Sequence, residues 1–276
     1  MFTISVVLAT ILPACQHAGE GVDRLLAVAD PTNSLSRFLE YPPQHSGLWS
    51  APSFKVNPSF WAKDIDLSCA SPWNSASGAL RAGTLVSKRH VIFAQHFSLW
   101  PGVRMAFVDG DGQVCICSLA KVKAIPKSDI SVGLLDYEVT PNIHPAKILP
   151  ENFRKYIGDA EGLPTVTFDK EERLVVSDLM AFPTNSYWRI GKSLKPKSPL
   201  RQSFNRLLRS GDSGNPAFLI VNNKPILLYT LHGGRYGSGS AMHSFRHEIQ
   251  TAMDELCPGY KLESFDFEKN LIPIAN

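Results

Sequence analysis

The chain has 276 residues, 44% of them hydrophobic and 19% charged, with a formal net charge of +3. That length suits one large domain or two small ones, and the hydrophobic share excludes a disordered or fibrous chain. Basic residues are interspersed with acidic ones instead of forming a stripe that tracks phosphates, so nucleic acid is not an expected partner.

The apolar run at 1–14 is too short for a membrane span of roughly 20 residues and reads as part of an export signal over 1–18. Leu12-Pro13-Ala14-Cys15 resembles a bacterial lipobox. The resemblance implies cleavage before Cys15 and a lipid anchor on its thiol, in the periplasm or on the outer membrane. A freely secreted protein and a buried N-terminal strand or helix are the alternatives. Residues 19–77 are rich in Pro, Ser and Asn with little periodicity, as expected of a linker or an irregular N-terminal arm.

Beyond Cys15 stand Cys69, Cys115, Cys117 and Cys257. Cys115 and Cys117 are two apart, so on a strand they share a face and do not readily bond to each other. Either one of them bonds Cys69, or the four are free buried thiols. No histidine lies nearby at ligand spacing, so these cysteines are not expected to hold a metal.

From about Gly78 the pattern becomes short β-branched and apolar runs bounded by turn residues, at 83–87, 90–94, 103–109, 113–119 and 130–135. Asp109-Gly110-Asp111-Gly112 is a hairpin signal. A second set follows Pro150, at 165–168, 173–177, 187–190, 217–221 and 225–231, with Asn222-Asn223 as a tight turn. Many short strands with almost no helix between them imply an all-β barrel or sandwich. One helix is expected at 245–256, where Phe245, Ile249, Ala252, Met253 and Leu256 share a face and Ser244 is available as a cap.

Three segments carry chemistry. Gly211-Asp212-Ser213-Gly214-Asn215-Pro216 offers a serine in a glycine-rich turn, where the N–H groups of Gly211 and Ser213 can face one oxyanion. Apolar residues at 91–94 lead to His96, while His90 precedes the run instead of ending it. Ser128-Asp129 stands at the start of an apolar strand, where a carboxylate can accept Nδ1–H of a histidine and fix its tautomer; Asp136, at the other end, is a weaker candidate.

These segments resemble, in order, the GDSGGP, Ala-Ala-His and Asp-Ile-Ala-Leu-Leu segments of the chymotrypsin/trypsin-like serine peptidases. Gln95 and Phe97 depart from the pattern, the latter removing the cysteine beside the histidine. Chain order His, Asp, Ser is that of chymotrypsin and of neither α/β-hydrolases nor subtilisins. The resemblance implies two antiparallel six-stranded β-barrels, at 78–150 and 151–276, the second carrying the C-terminal helix. It also implies a serine endopeptidase with His96, Asp129 and Ser213 as catalytic residues, a peptide or protein as substrate, and no metal or cofactor. A catalytically inactive binding module and an esterase on the same fold are the alternatives.

Leu207 stands where tryptic members carry an aspartate, and His232-Gly233-Gly234 resembles the strand lining the primary pocket. Leu207, His232, Gly233 and Gly234 are therefore expected to bind substrate, with uncharged or acidic side chains preferred over Lys or Arg. Asp212 is expected to pair with a cation such as Arg201 or Arg206.

Overall fold

The computed structural model describes residues 11–34, 36–40, 56–76, 79–180, 182 and 189–270. Residues 1–10 of the expected export run, and 187–188 of the strand expected at 187–190, lie outside them. The described chain is mostly β, with two curled sheets and few helices.

The first sheet holds β1 (Ala70–Ala76), β2 (Ala79–Leu85), β3 (His90–Ala94), β4 (Arg104–Val108), β5 (Val114–Ala124) and β6 (Ile130–Leu135), in the order β1-β2-β3-β6-β5-β4 and antiparallel throughout. Its two end strands meet, so the sheet is a nearly closed barrel. Ser71 Oγ and Trp73 Nε1 both donate to the carbonyl of Ala106, at 2.6 and 2.9 Å, which satisfies an edge-strand acceptor that closure would otherwise bury unpaired.

The second sheet is a half-barrel of seven strands. These are β7 (Lys147–Ile148), β8 (Pro164–Phe168), β9 (Leu174–Leu179), β10 (Ile190–Leu194), β11 (Pro216–Val221), β12 (Lys224–Thr230) and β13 (Ser238–Ser240), ordered β13-β10-β9-β8-β11-β12-β7. Only β7 and β12 pair in parallel. The first sheet begins at Ala70, ahead of the expected start at Gly78, and Lys147–Ile148, expected in the first unit, pairs with the second sheet.

Both expected turns are present. Asp109 Oδ1 accepts from the N–H of Asp111 and of Gln113, tying the β4–β5 connection. Asn222 and Asn223 have φ of 49° and 59°, the left-handed pair of a two-residue hairpin between β11 and β12.

The described parts of the region expected to be an irregular arm are more ordered than its composition suggests. Helix α1 (Ile11–Val28), which includes position 15, buries Val22 and Leu26, one turn apart, in the core. It is fixed by Arg201, from α3 (Pro199–Ser203): Nε and Nη2 grip the two oxygens of Asp23, both at 2.7 Å, while Nη1 donates to Asp178. Further along, Phe38 stacks on Trp73 of β1 and meets Phe168 of β8 edge-on, with ring centroids 6.0 and 6.1 Å apart. Trp61 donates from Nε1 to the carbonyl of Leu174 in β9. The arm thus wedges between the two sheets, and the aromatic area it buries helps to hold them together.

The short α2 (Arg154–Ile157) precedes β8, and α4 (Arg246–Leu256) and α5 (Phe267–Asn270) follow the second sheet. Ile249, Ala252 and Met253 are buried along α4, at the expected helical spacing. Ser244 does not cap it: the N-cap is Phe245, without a side-chain bond, because residues 242–245 form a 3₁₀ turn leading into the helix.

Cys69, Cys115, Cys117 and Cys257 are free thiols, the second of the two alternatives, with Cys257 only half-buried. Cys115 and Cys117 share a face, with their sulfurs 3.8 Å apart.

Candidate active site

Strand register brings His96 to Asp129. In the β3–β6 pair Ala94 lies opposite Ile130, so the residues just past the end of β3 face those just before β6, and the N–H of Gln95 bonds to the carbonyl of Asp129. At this rim the Asp129 carboxylate takes the backbone N–H of His96 on Oδ1 at 2.8 Å and His96 Nδ1 on Oδ2 at 2.7 Å. A carboxylate only accepts, so the imidazole hydrogen sits on Nδ1 and Nε2 is left to act on another group. The loop after β3 is braced by Arg81, whose guanidinium lies over the rings of Phe97 and Trp100. His90 and Asp136 belong to the opposite rim: His90 is buried against Ser87, and Asp136 accepts the N–H of Ser118.

Ser213 lies in the turn before β11. Gly211 and Gly214 have φ of +95° and +83°, conformations that a side chain would strain. The N–H groups of Asp212, Gly214 and Asn215 bond to the carbonyls of Arg209, Leu231 and Asp212. Among the described residues, those of Gly211 and Ser213 have no acceptor within the chain. Asp212 is 2% exposed, and its carboxylate takes the backbone N–H of Lys170 at 2.7 Å and of Arg209 at 2.5 Å. Its expected arginine partners are engaged elsewhere: Arg201 with Asp23 and Asp178, Arg206 with Asp169. Two charge-assisted backbone bonds replace the expected ion pair.

The serine turn faces the histidine rim. A methyl group placed on Gly214 would lie 3.6 Å from Cβ of Ala94, two residues before His96. No hydrogen bond joins Ser213 to His96 among the described residues.

His232 links the two parts. It lines one cavity of about 370 Å³ with Ser213, Gly233 and Gly234, and a second of about 470 Å³ with Asp129. Its Nδ1 lies 3.1 Å from Oδ2 of Asp129, and its ring centroid is 5.0 Å from that of His96. The imidazole expected to meet substrate is therefore directed at Asp129, and one carboxylate oxygen serves two imidazoles. With the protons removed, His96, Asp129 and His232 offer metal-ligand atoms within 4.8 Å of one another.

Gly233 and Gly234 stand beside Ser213 as expected. Leu207 does not line that cavity: it is 40% exposed, and Leu208 takes its place. Arg209 and Arg235 also line the cavity, and sequence reasoning assigned neither of them to it. The only signal for Arg209 was its place next to the serine turn, and Arg235 follows the glycine pair with no distinguishing pattern.

No protein-family model matches this chain, and no curated protein matches it.

Proposed function

We propose that the protein is a chymotrypsin-like serine endopeptidase, with Ser213 as nucleophile, His96 as general base and Asp129 orienting the histidine. The observation that carries the reading is the double grip of Asp129 on His96, at 2.8 and 2.7 Å, on the rim against which the Ser213 turn packs. This grip fixes both the tautomer and the direction of the ring.

In the proposed reaction His96 Nε2 removes the proton from Ser213 Oγ as the oxygen bonds to a peptide carbonyl carbon. The carbonyl π electrons move to oxygen, and the resulting oxyanion is met by the unengaged N–H groups of Gly211 and Ser213. His96 then gives the proton to the leaving amine as the C–N bond breaks. Water, deprotonated by His96, releases the acyl group and restores the serine.

One observation favours a binding module instead: Ser213 and His96 are not hydrogen-bonded. Catalytic hydrogen bonds are often long in unliganded enzymes and tighten on substrate binding, so the peptidase remains the better reading. An esterase would use the same residues. Fluorophosphonate labelling tests the proposal: covalent labelling of the native chain that is lost in Ser213→Ala supports it, and absence of labelling in both overturns it. Hydrolysis of peptides as well as esters separates peptidase from esterase. Export, inferred from the N-terminal run, is part of the proposal. No helix among the described residues is long and apolar enough to cross a membrane.

A further inference from the structure

We propose that the cavity beside Ser213 receives an acidic side chain, glutamate or aspartate, from the residue preceding the scissile bond. The proposal rests on the peptidase reading and names its substrate class. Arg209 and Arg235 line this cavity of about 370 Å³. Both are exposed, and among the described residues neither has a carboxylate within ion-pair distance, although ten other Lys and Arg residues do. A third cation stands at the edge: Lys170 Nζ donates to the carbonyl of Ser210 at 3.2 Å, and its aliphatic stem covers Gly211.

No carboxylate in the wall is free to pair directly with these charges or with a substrate cation. Asp212 is the one acidic residue of the lining, and both its oxygens are engaged by backbone N–H groups at 2.7 and 2.5 Å. Asp129, on the neighbouring cavity, is occupied by His96 and His232. A lysine or arginine side chain entering here would meet like charge with no counter-ion. A glutamate would lay its methylenes along Leu208 and Leu231 and present its carboxylate to the guanidinium groups, whose planar geometry suits bidentate pairing. The open side is formed by Gly233, with nothing within 4 Å of the position a Cβ would take, so a substrate backbone can approach closely.

Isolated surface arginines are ordinary. The inference rests on their convergence: two unpaired guanidinium groups line one cavity that contains the proposed nucleophile and no available acid, with the Lys170 ammonium bonded to the carbonyl of Ser210 in its wall. The specificity therefore comes from Arg209 and Arg235 and not from His232.

The test is cleavage-site profiling with a peptide library in which the residue before the scissile bond is varied. The native chain should favour Glu or Asp over Lys or Arg by about 100-fold or more in kcat/KM, a ratio expected of a site built to pair a specific polar group. Arg209→Gln and Arg235→Gln should each lower the acidic preference by about 10-fold, and the Arg209→Glu/Arg235→Glu pair should shift it toward Lys and Arg. The preference should also shrink as ionic strength rises, because the two side chains are exposed. A fluorophosphonate probe without an acidic group reports on Ser213 in every variant. A native chain that labels yet cleaves after basic or apolar residues overturns this inference and leaves the peptidase reading standing. The same holds if the arginine variants label yet keep the acidic preference. A native chain that neither labels nor cleaves overturns both.

Discussion

His96 and Asp129 stand at adjacent ends of paired strands and are joined by their own side chains, whereas Ser213 is held by glycine backbone and by a loop distant in sequence. In the first region the β3–β6 register sets the geometry, and two hydrogen bonds to one carboxylate complete it. In the second, Gly211 and Gly214 adopt positive φ, and Asp212 anchors the turn to Lys170 in the β8–β9 connection. The first should therefore fail through lost chemistry with little loss of fold. In the second, substitution of the glycines that hold the serine should act through backbone strain, with stability and activity falling together.

The largest effects should come from the groups that react. Ser213→Ala and His96→Ala should each abolish turnover while thermal unfolding stays close to that of the native chain, as read by peptide hydrolysis and circular dichroism. Asp129→Asn should lower kcat by about 10⁴, the size expected when the histidine is held in the wrong tautomer, with KM little changed. Full turnover in any of these variants would remove the mechanism.

Gly211→Ala tests the other region. Its φ of +95° and a Cβ only 3.2 Å from the Lys170 side chain predict a stability loss of about 1–2 kcal/mol, with kcat/KM falling through a displaced N–H. A variant that lost activity alone would show that the turn is not under backbone constraint.

The support of the serine turn should also respond to pH. Glu172, in the connection that carries Lys170, is buried with Oε2 unpartnered, and burial pushes its pKa up to about 8 from 4.5, with Arg37 opposing. Between those values the folded chain holds a proton that the unfolded chain has released, so stability falls as pH rises from about 4.5 toward 8. His90, buried at the start of β3, has its pKa lowered from 6.5 to about 4 by burial. There the unfolded chain binds the extra proton, and stability falls as pH drops from 6.5 toward 4. Burial lowers His243, in the 3₁₀ turn before α4, to about 4 as well, so the acid limb draws on two separate sites. Glu172→Gln should therefore remove the alkaline decline and stabilise the protein above pH 8 by about 1–3 kcal/mol, leaving the acid limb in place. Urea unfolding across pH measures this, and an unchanged alkaline limb would rule out Glu172 as its source.

The smallest effect should come from His232→Ala. His96 keeps both its bonds to Asp129, so kcat/KM should fall by no more than about 10-fold, within the range of one exposed hydrogen bond. A loss near that of Asp129→Asn would make His232 a positioning residue of the first rank.

Local pattern was enough to establish several features. Alternating apolar runs between turn residues placed β3, β6, β11 and β12 within a few residues, because strands and tight turns are short-range solutions to backbone pairing. The same reading put His96 at the end of one strand and Asp129 at the start of another. It also put Ser213 between two glycines whose positive φ no other residue adopts as readily. Tertiary structure decided what depends on distant partners. Residues 19–77 looked irregular because Phe38 and Trp61 carry no periodicity, yet both are buried against sheets formed by later parts of the chain. Asp212 turned out to bond to the backbone of Lys170, His232 faces Asp129 across more than a hundred positions, and Leu208 replaces Leu207 in the cavity wall. None of these has a local signature, because each follows from where a loop is carried by the sheet it leaves.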